Sequence, residues 1–278
     1  MSIASLFVFG LNFGIDFKGG SLMELDFVGG RPGHDQVRNA LADVDLGEVT
    51  IVDSGQSGLI LRFKDTDEAT HQEILQSFEK FSEHEELRFE SVGPIIGEET
   101  KKKSAWAIVL VVVMILIYVA WAFRRLTFPL RSWQYGVVAL VTLFHDVVIT
   151  MGVFSLLGYL LNIEVGVPFV AALLTILGYS VNDTIVIFDR IRENVARQGS
   201  IFDFVEVIDK SVREARVRSL NTSLTTLFVL AAVFLFGGHT ITYFILTLII
   251  GVVIGTYSSL FIASPLLFSW SMLKMKKR

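Results

Sequence analysis

Five stretches of this 278-residue chain are each long and apolar enough to cross a lipid bilayer. A hydrocarbon core about 30 Å thick takes roughly 20 apolar residues of helix. Within it only helices and closed barrels satisfy their own backbone N–H and C=O groups. Residues 105–123 fit without a single charge, and residues 136–161, 167–188, 220–236 and 243–270 are the other four spans. Residues 1–14 are apolar too, but at about 1.5 Å per residue they reach only about 21 Å. They lack the basic start and the small-residue cleavage site of a signal peptide. They read as the outer end of a truncated first helix whose start lies outside this chain.

The charges lie elsewhere. Only 19% of residues are charged, and mean hydropathy is +0.58. Residues 16–104 hold 10 Lys/Arg against 19 Asp/Glu, whereas the spans and outer turns hold just three acids, Asp146, Glu164 and Asp183. The expected organisation is therefore a truncated helix over 1–14, an acidic head over 15–104 and a five-helix body over 105–273. The body contains a polar connector at 190–217, and a basic tail follows at 274–278. The chain has no cysteine, which excludes disulfides, thiolate metal sites and a cysteine nucleophile. A net charge of −4 gives no argument for nucleic acid.

Lys and Arg set the expected orientation. Arg124, Arg125 and Arg131 fall between the first two full spans. Arg190, Arg192, Arg197, Lys210, Arg213, Arg216 and Arg218 fall between the third and fourth, and Lys274, Lys276, Lys277 and Arg278 close the chain. With alternating spans these regions share one side, the cytoplasmic one. The head then faces outward, although Lys101–Lys103 on that side runs against the rule. Residues 201–217 alternate apolar and charged positions at helical spacing and read as an amphipathic helix on the inner membrane face or against another subunit.

In the head, residues 19–28, 48–53, 58–64 and 87–92 read as strands, and 34–43 and 66–84 as helices. The longer helix begins at Thr66 and sets Ile74, Leu75, Phe78 and Phe81 on one side. Strand–helix–strand–strand–helix–strand is the split βαβ order of a ferredoxin-like α+β domain. It carries no Gly-rich phosphate loop and no metal-ligand set. Such a domain binds another protein or packs on a neighbour.

Ionisable residues at bilayer depth cost about 2.5–3.5 kcal/mol or more and need a reason. Asp183 lies mid-span, about 10 Å from the helix end at Arg190. Thr175, Tyr179, Asn182, Asp183 and Arg190 fall within one wedge of the helix. A carboxylate removed from water favours its protonated form unless a cation is near. Two readings stand: reversible protonation, or a hydrogen bond to a neighbouring helix. Arg218 is the candidate cation, sharing a face with Asn221, Thr222 and Thr225; alternatively it marks the boundary and snorkels. His145 and Asp146 are either a proton relay or a polar contact between helices, and adjacent residues point in different directions on a helix. Gly251, Gly255 and Ser259, spaced by four, form a close-packing face. There is no G-x-S-x-G elbow and no H-E-x-x-H helix, and nothing around Asp146 and Asp183 reads as a cleavage loop, so no enzyme activity and no cofactor is expected.

These segments also carry a family likeness. Residues 14–20 read GIDFKGG, with Gly14, Asp16, Gly19 and Gly20, and residues 92–97 read VGPIIG. His145–Asp146 follows. Residues 178–194 read GYSVNDTIVIFDRIREN, with Gly178, Tyr179, Asn182, Asp183, Asp189 and Arg190. Residues 218–226 read RSLNTSLTT, with Arg218 and Thr222, and residues 255–259 read GTYSS. Over essentially its whole length the chain resembles the SecF family, the smaller membrane subunits of SecD–SecF protein-export complexes, in the resistance–nodulation–division (RND) superfamily. The resemblance implies an RND-type half of six transmembrane helices with a small periplasmic domain, in the cytoplasmic (inner) membrane. It implies SecD, the SecYEG channel, translocating preproteins and the lipid bilayer as partners. It also implies a proton path through Asp183 and Arg218, facing an acid supplied by SecD. Two other readings are an RND-like exporter of lipids or small hydrophobic molecules, which would carry larger outer domains, and a non-conducting scaffold for the translocon.

Overall fold

The computed structural model describes residues 2–81, 83–124, 131–198 and 204–275. The chain divides into two units, a head (Phe13–Ser104) and a body (Met1–Asn12 with Ala105–Arg278). In chain order the elements are α1 (Ser2–Phe9), α2 (Ile15–Lys18), β1 (Gly20–Phe27), α3 (His34–Ala40), β2 (Thr50–Ser54), β3 (Gly58–Phe63), α4 (Glu68–Phe78) and β4 (His84–Val92). Then come α5 (Pro94–Ala122), α6 (Ser132–Leu161), α7 (Val167–Gln198), α8 (Phe204–Phe236) and α9 (His239–Ser258). A π turn (Ser259–Ala263) leads into α10 (Ser264–Met275).

The head is a four-stranded antiparallel sheet in the order β2-β3-β1-β4, the ferredoxin-like arrangement. β1 sits centrally because its alternation buries Met23, Leu25 and Phe27 on one face. Leu59, Leu61 and Phe63 of β3 extend that face, and Val37, Ile74 and Phe78 of α3 and α4 cover it. Each such side chain, fully buried, contributes about 1.5–3 kcal/mol. The helix expected over 66–84 is shorter. It starts one residue past Asp67, whose side chain accepts from the Thr70 N–H at 3.0 Å and from Thr70 Oγ1 at 2.7 Å. Thr66 is engaged elsewhere, its carbonyl accepting from Ser91 Oγ at 3.2 Å. Phe81 lies beyond the helix and is exposed. β4 begins earlier than expected, at His84, because it pairs along β1 as far as Phe27.

The Asp67 cap makes a pH-dependent prediction. The Thr70 N–H and hydroxyl favour the carboxylate and hold its pKa below the ordinary 3.8. A depressed folded value means that the stabilisation is present above the unfolded value and is lost as pH falls through the folded one. Hydrogen-exchange protection of the first turn of α4 should therefore fall below about pH 4. Asp67→Asn should remove that pH step while keeping protection at neutral pH, and Asp67→Ala should lose protection throughout.

The five long helices α5, α6, α7, α8 and α9–α10 have the length and apolarity of membrane spans. The protein is a multi-pass helical membrane protein with a small α+β domain. α1 packs on α6: Ser5 Oγ donates to the Gly152 carbonyl at 3.0 Å, and Ser155 Oγ donates to the Ser5 carbonyl at 2.9 Å. The body core gathers Val119, Tyr135, Leu143, Leu177, Phe188, Val207 and Leu267. One expectation fails here. The segment read as a separate interfacial helix over 201–217 is, from Phe204 onward, the first half of α8. No Gly or Pro interrupts residues 204–236, so the helix runs on. Its apolar side, Phe204, Val207, Ile208 and Ala215, belongs to the same core as Ile187, Phe188 and Ile191 of α7. Arg125, residues 201–203 and the basic residues Lys276, Lys277 and Arg278 lie outside the described residues.

Candidate functional site

Small residues decide how closely α9 approaches α7. A Cβ on Gly251 would collide with Ile176, and one on Gly255 would stand 3.1 Å from Ser180 Cβ. These pairs advance together along both chains, so α7 and α9 run parallel in a fixed register. One turn further on, the same register brings Ser259 to Asp183.

Among the described residues, two carboxylates lie buried in the body. Asp183 on α7 is 7% exposed, and its Oδ2 accepts from Ser219 Oγ of α8 at 2.7 Å and from Ser259 Oγ. Asp146 on α6 is 0% exposed. Its Oδ2 accepts from Ser180 Oγ of α7 at 2.5 Å and from Ser258 Oγ at the end of α9 at 2.8 Å, while its Oδ1 lies 2.9 Å from His145 Nδ1. Hydrogen bonds to a charged acceptor contribute about 1.5–3 kcal/mol each, so these carboxylates tie four helices together. Between them Tyr179 donates to Ser223 Oγ at 3.1 Å, and Ser223 meets Thr256 at 2.6 Å.

The structure does not pair Asp183 with Arg218. Adjacent positions on a helix point about 100° apart, and on α8 it is Ser219 that faces Asp183. Arg218 is exposed. It lines a groove of about 390 Å³ with Asp189, Arg190, Glu193 and Glu214. In this groove Arg190 bonds Glu193 at 2.8 Å and lies 3.6 Å from Glu214, and Asp189 pairs with Arg192. Asn182 does not join Asp183 in the interior; it is exposed. His145 and Asp146, though adjacent, do meet each other.

The glycine motifs meet in the head. Gly14 precedes α2, which carries Asp16 in its first turn. Gly19 has φ +79°, and a Cβ there would lie 2.7 Å from Pro94 Cα. Gly20 has φ +121°, and its Cβ would lie 2.8 Å from the Phe63 carbonyl oxygen. Gly97 closes the contact from the other side, its Cβ position 2.9 Å from the Gly19 nitrogen. GIDFKGG and VGPIIG are thus two halves of one close backbone crossing that no side chain fits. Gly178, by contrast, faces open space, and the Thr222 hydroxyl donates to the Arg218 carbonyl of its own helix at 2.9 Å.

Sequence reasoning missed Ser180, Ser219 and Ser258, and read Ser259 only as a packing position. The available signal for Ser180, Ser258 and Ser259 was their position about one helical turn from a buried acid or a close-packing glycine; for Ser219 it was only its place beside Arg218.

Known proteins resemble the chain over most of its length. Residues 71–273 match the family described as protein export membrane protein SecD/SecF, C-terminal, and residues 4–30 match the SecD/SecF GG motif. The protein translocase subunit SecF of Thermobaculum terrenum is 42% identical over 95% of this chain and 86% of its own length. The chain belongs to the SecF family of protein translocase subunits. The SecF subunit of Sebaldella termitidis is 39% identical over 96% of this chain and 84% of its own. Among solved structures, SecDF of Thermus thermophilus, a translocon-associated membrane protein, is similar with TM-score 0.84 and 32% identity over 98% of this chain. SecDF in its super-membrane-facing form gives 0.68 and 31% over 99%. The chain spans 36% of the first SecDF chain's length and 37% of the second's.

Proposed function

We propose that this SecF-family subunit works with a SecD-type membrane partner to draw polypeptide outward through the SecYEG channel late in export. The proton gradient drives the process, and Asp183 takes up and releases the proton. The observation that carries this reading is the setting of Asp183. It is a carboxyl buried mid-span, held by two neutral hydroxyls, and no described Lys or Arg is within ion-pair distance. A permanently charged group would call for a cation there, whereas hydroxyls serve the charged and the neutral acid alike. Neutralising Asp183 weakens, without breaking, the charge-assisted bonds from Ser219 and Ser259, and that change is the step handed on to the head.

A SecD-type partner is supported by what the body leaves uncovered. Thr175, Gly178 and Asn182 on α7, and Arg218, Asn221, Thr222 and Thr225 on α8, are exposed along neighbouring faces. Lipid does not solvate such a seam, but a facing helix with its own polar groups does. The basic ends of the spans support a C-terminus and an α7–α8 connection on the cytoplasmic side of the inner membrane and a head on the periplasmic side. The reading needs no cofactor and no catalytic residue. The seam also disfavours a stand-alone lipid or small-molecule exporter, whose outward faces would be apolar.

The test is export of a slow-folding secretory protein into vesicles that carry SecYEG, the SecD partner and this chain, with and without a proton gradient. The gradient should raise export only when both subunits are present. Equal stimulation without this chain would overturn the proposal, and stimulation by the chain that ignores the gradient would establish the scaffold reading instead.

A further inference from the structure

Asp146 is buried more completely than Asp183, yet the proton step proposed above does not use it. Its partners show another role. Ser258 and Ser259 are consecutive, and they stand where α9 passes into the π turn. Ser258 donates to Asp146 on α6 at 2.8 Å, while Ser259 donates to Asp183 on α7. Side chains one residue apart diverge by about 100°, so they serve acids on two different helices only at one rotation of α9. Just past them the helix changes from α to π, and Ser264 Oγ reaches the Ser259 carbonyl at 3.5 Å. Single π turns inside α-helices are frequent at functional sites. Asp146 adds a second constraint on the rotation, beyond the Gly251–Ile176 contact, by gripping Ser258 of α9 and Ser180 of α7 together.

We infer that Asp146 is a positioning residue for Asp183. By holding Ser258 it sets the rotation of α9 at the π turn and keeps the Ser259 hydroxyl on the Asp183 carboxylate. This inference rests on the proton-driven reading. The charged and titratable groups around Asp183 are few. α6 brings His145 and Asp146, α8 brings Arg218 beside Ser219, and α7 itself carries Tyr179, Asp189 and Arg190. α9 and the π turn carry no Asp, Glu, Lys or Arg. An effect transmitted from α9 is therefore one of hydroxyl placement, not of charge.

The experiment measures the pH profile of gradient-driven export in the same vesicles, with the chain and its SecD partner. The variants are Ser258→Ala, Asp146→Asn, Ser259→Ala and the pair Ser258→Ala/Ser259→Ala. Ser258→Thr tests rescue, because it keeps the hydroxyl. Thr247→Ala is the packing control, since Thr247 is buried on α9 and bonds the Tyr243 carbonyl of its own helix at 2.6 Å. Losing the Ser259 hydroxyl disfavours the charged carboxylate. Ser258→Ala and Ser259→Ala should each move the profile alkaline by half a unit or more, about threefold in proton concentration. The pair should move it no further, and Ser258→Thr, Thr247→Ala and Asp146→Asn, whose amide oxygen still accepts from Ser258, should leave it in place. If Asp146 acts instead through its charge, Asp146→Asn moves the profile the other way and the inference falls. It falls equally if Ser258→Ala lowers export without moving the profile. Asp183→Asn separates the two levels. If that variant keeps its full response to the gradient, the proton-driven reading fails and takes the inference with it; if it loses the response while Ser258→Ala leaves the profile unmoved, only the inference fails.

Discussion

Asp183→Asn abolishes the gradient-dependent part of export and leaves the gradient-independent part as it was. The amide has the shape of the carboxyl and still accepts from Ser219 Oγ, 2.7 Å away in the parent, and from Ser259 Oγ. The α7–α8–α9 junction therefore persists, and the variant chain accumulates and assembles as the parent does. What it loses is the change of charge. An Asn at this depth cannot alternate between an ion that needs donors and a neutral group that does not, so nothing couples the gradient to the helices. Export into vesicles at matched expression, with and without an imposed gradient, reads this directly. Full gradient stimulation in the variant would remove Asp183 from the mechanism.

How much of this was legible in the sequence depends on the range of the cause. The spans and the strand order of the head follow from local apolar period, and Met23, Leu25 and Phe27 alternate in β1 as the pattern requires. Asp146 and Asp183 were legible because an acid in an apolar run is costly wherever the helix packs. The hydroxyls on them were not. A Ser or Thr within a helix ordinarily returns its proton to the carbonyl one turn back, as Thr142, Thr150 and Thr247 do here. Which serines also reach a carboxylate, as Ser258 and Ser259 do beside the Gly255 and Thr256 carbonyls, depends on the register between helices, which Ile176 and Gly251 set and no single segment encodes. The pairing of Arg218 with Asp183, one of two readings of that residue, is not made here for the same reason. Proximity along a motif placed the cation correctly on α8, but its neighbour Ser219 holds the inward position. The first half of α8 was misread because an interfacial helix and the polar extension of a spanning one have the same periodicity.

That register makes Gly251 a sensitive packing position in the body. Any side chain there enters the space of Ile176, whose branched carbons leave little freedom to move aside. Overpacking of this kind costs about 1–3 kcal/mol even where neighbours give way, and Gly251→Leu should stand at or beyond the upper end. The expected result is a chain that accumulates poorly and melts well below the parent in detergent. Gly255→Ala should cost less, because its Cβ would stand 3.1 Å from Ser180 Cβ. The cause is checked by compensation: Gly251→Ala lowers the melting temperature, and adding Ile176→Ala restores most of it by vacating the same volume. A Gly251→Ala chain as stable as the parent would show that the helices are not in this contact. Because the contact also aligns Ser259 with Asp183 and Ser258 with Asp146, the compensated pair tests more than folding. It recovers gradient-driven export only if the original register returns with the stability.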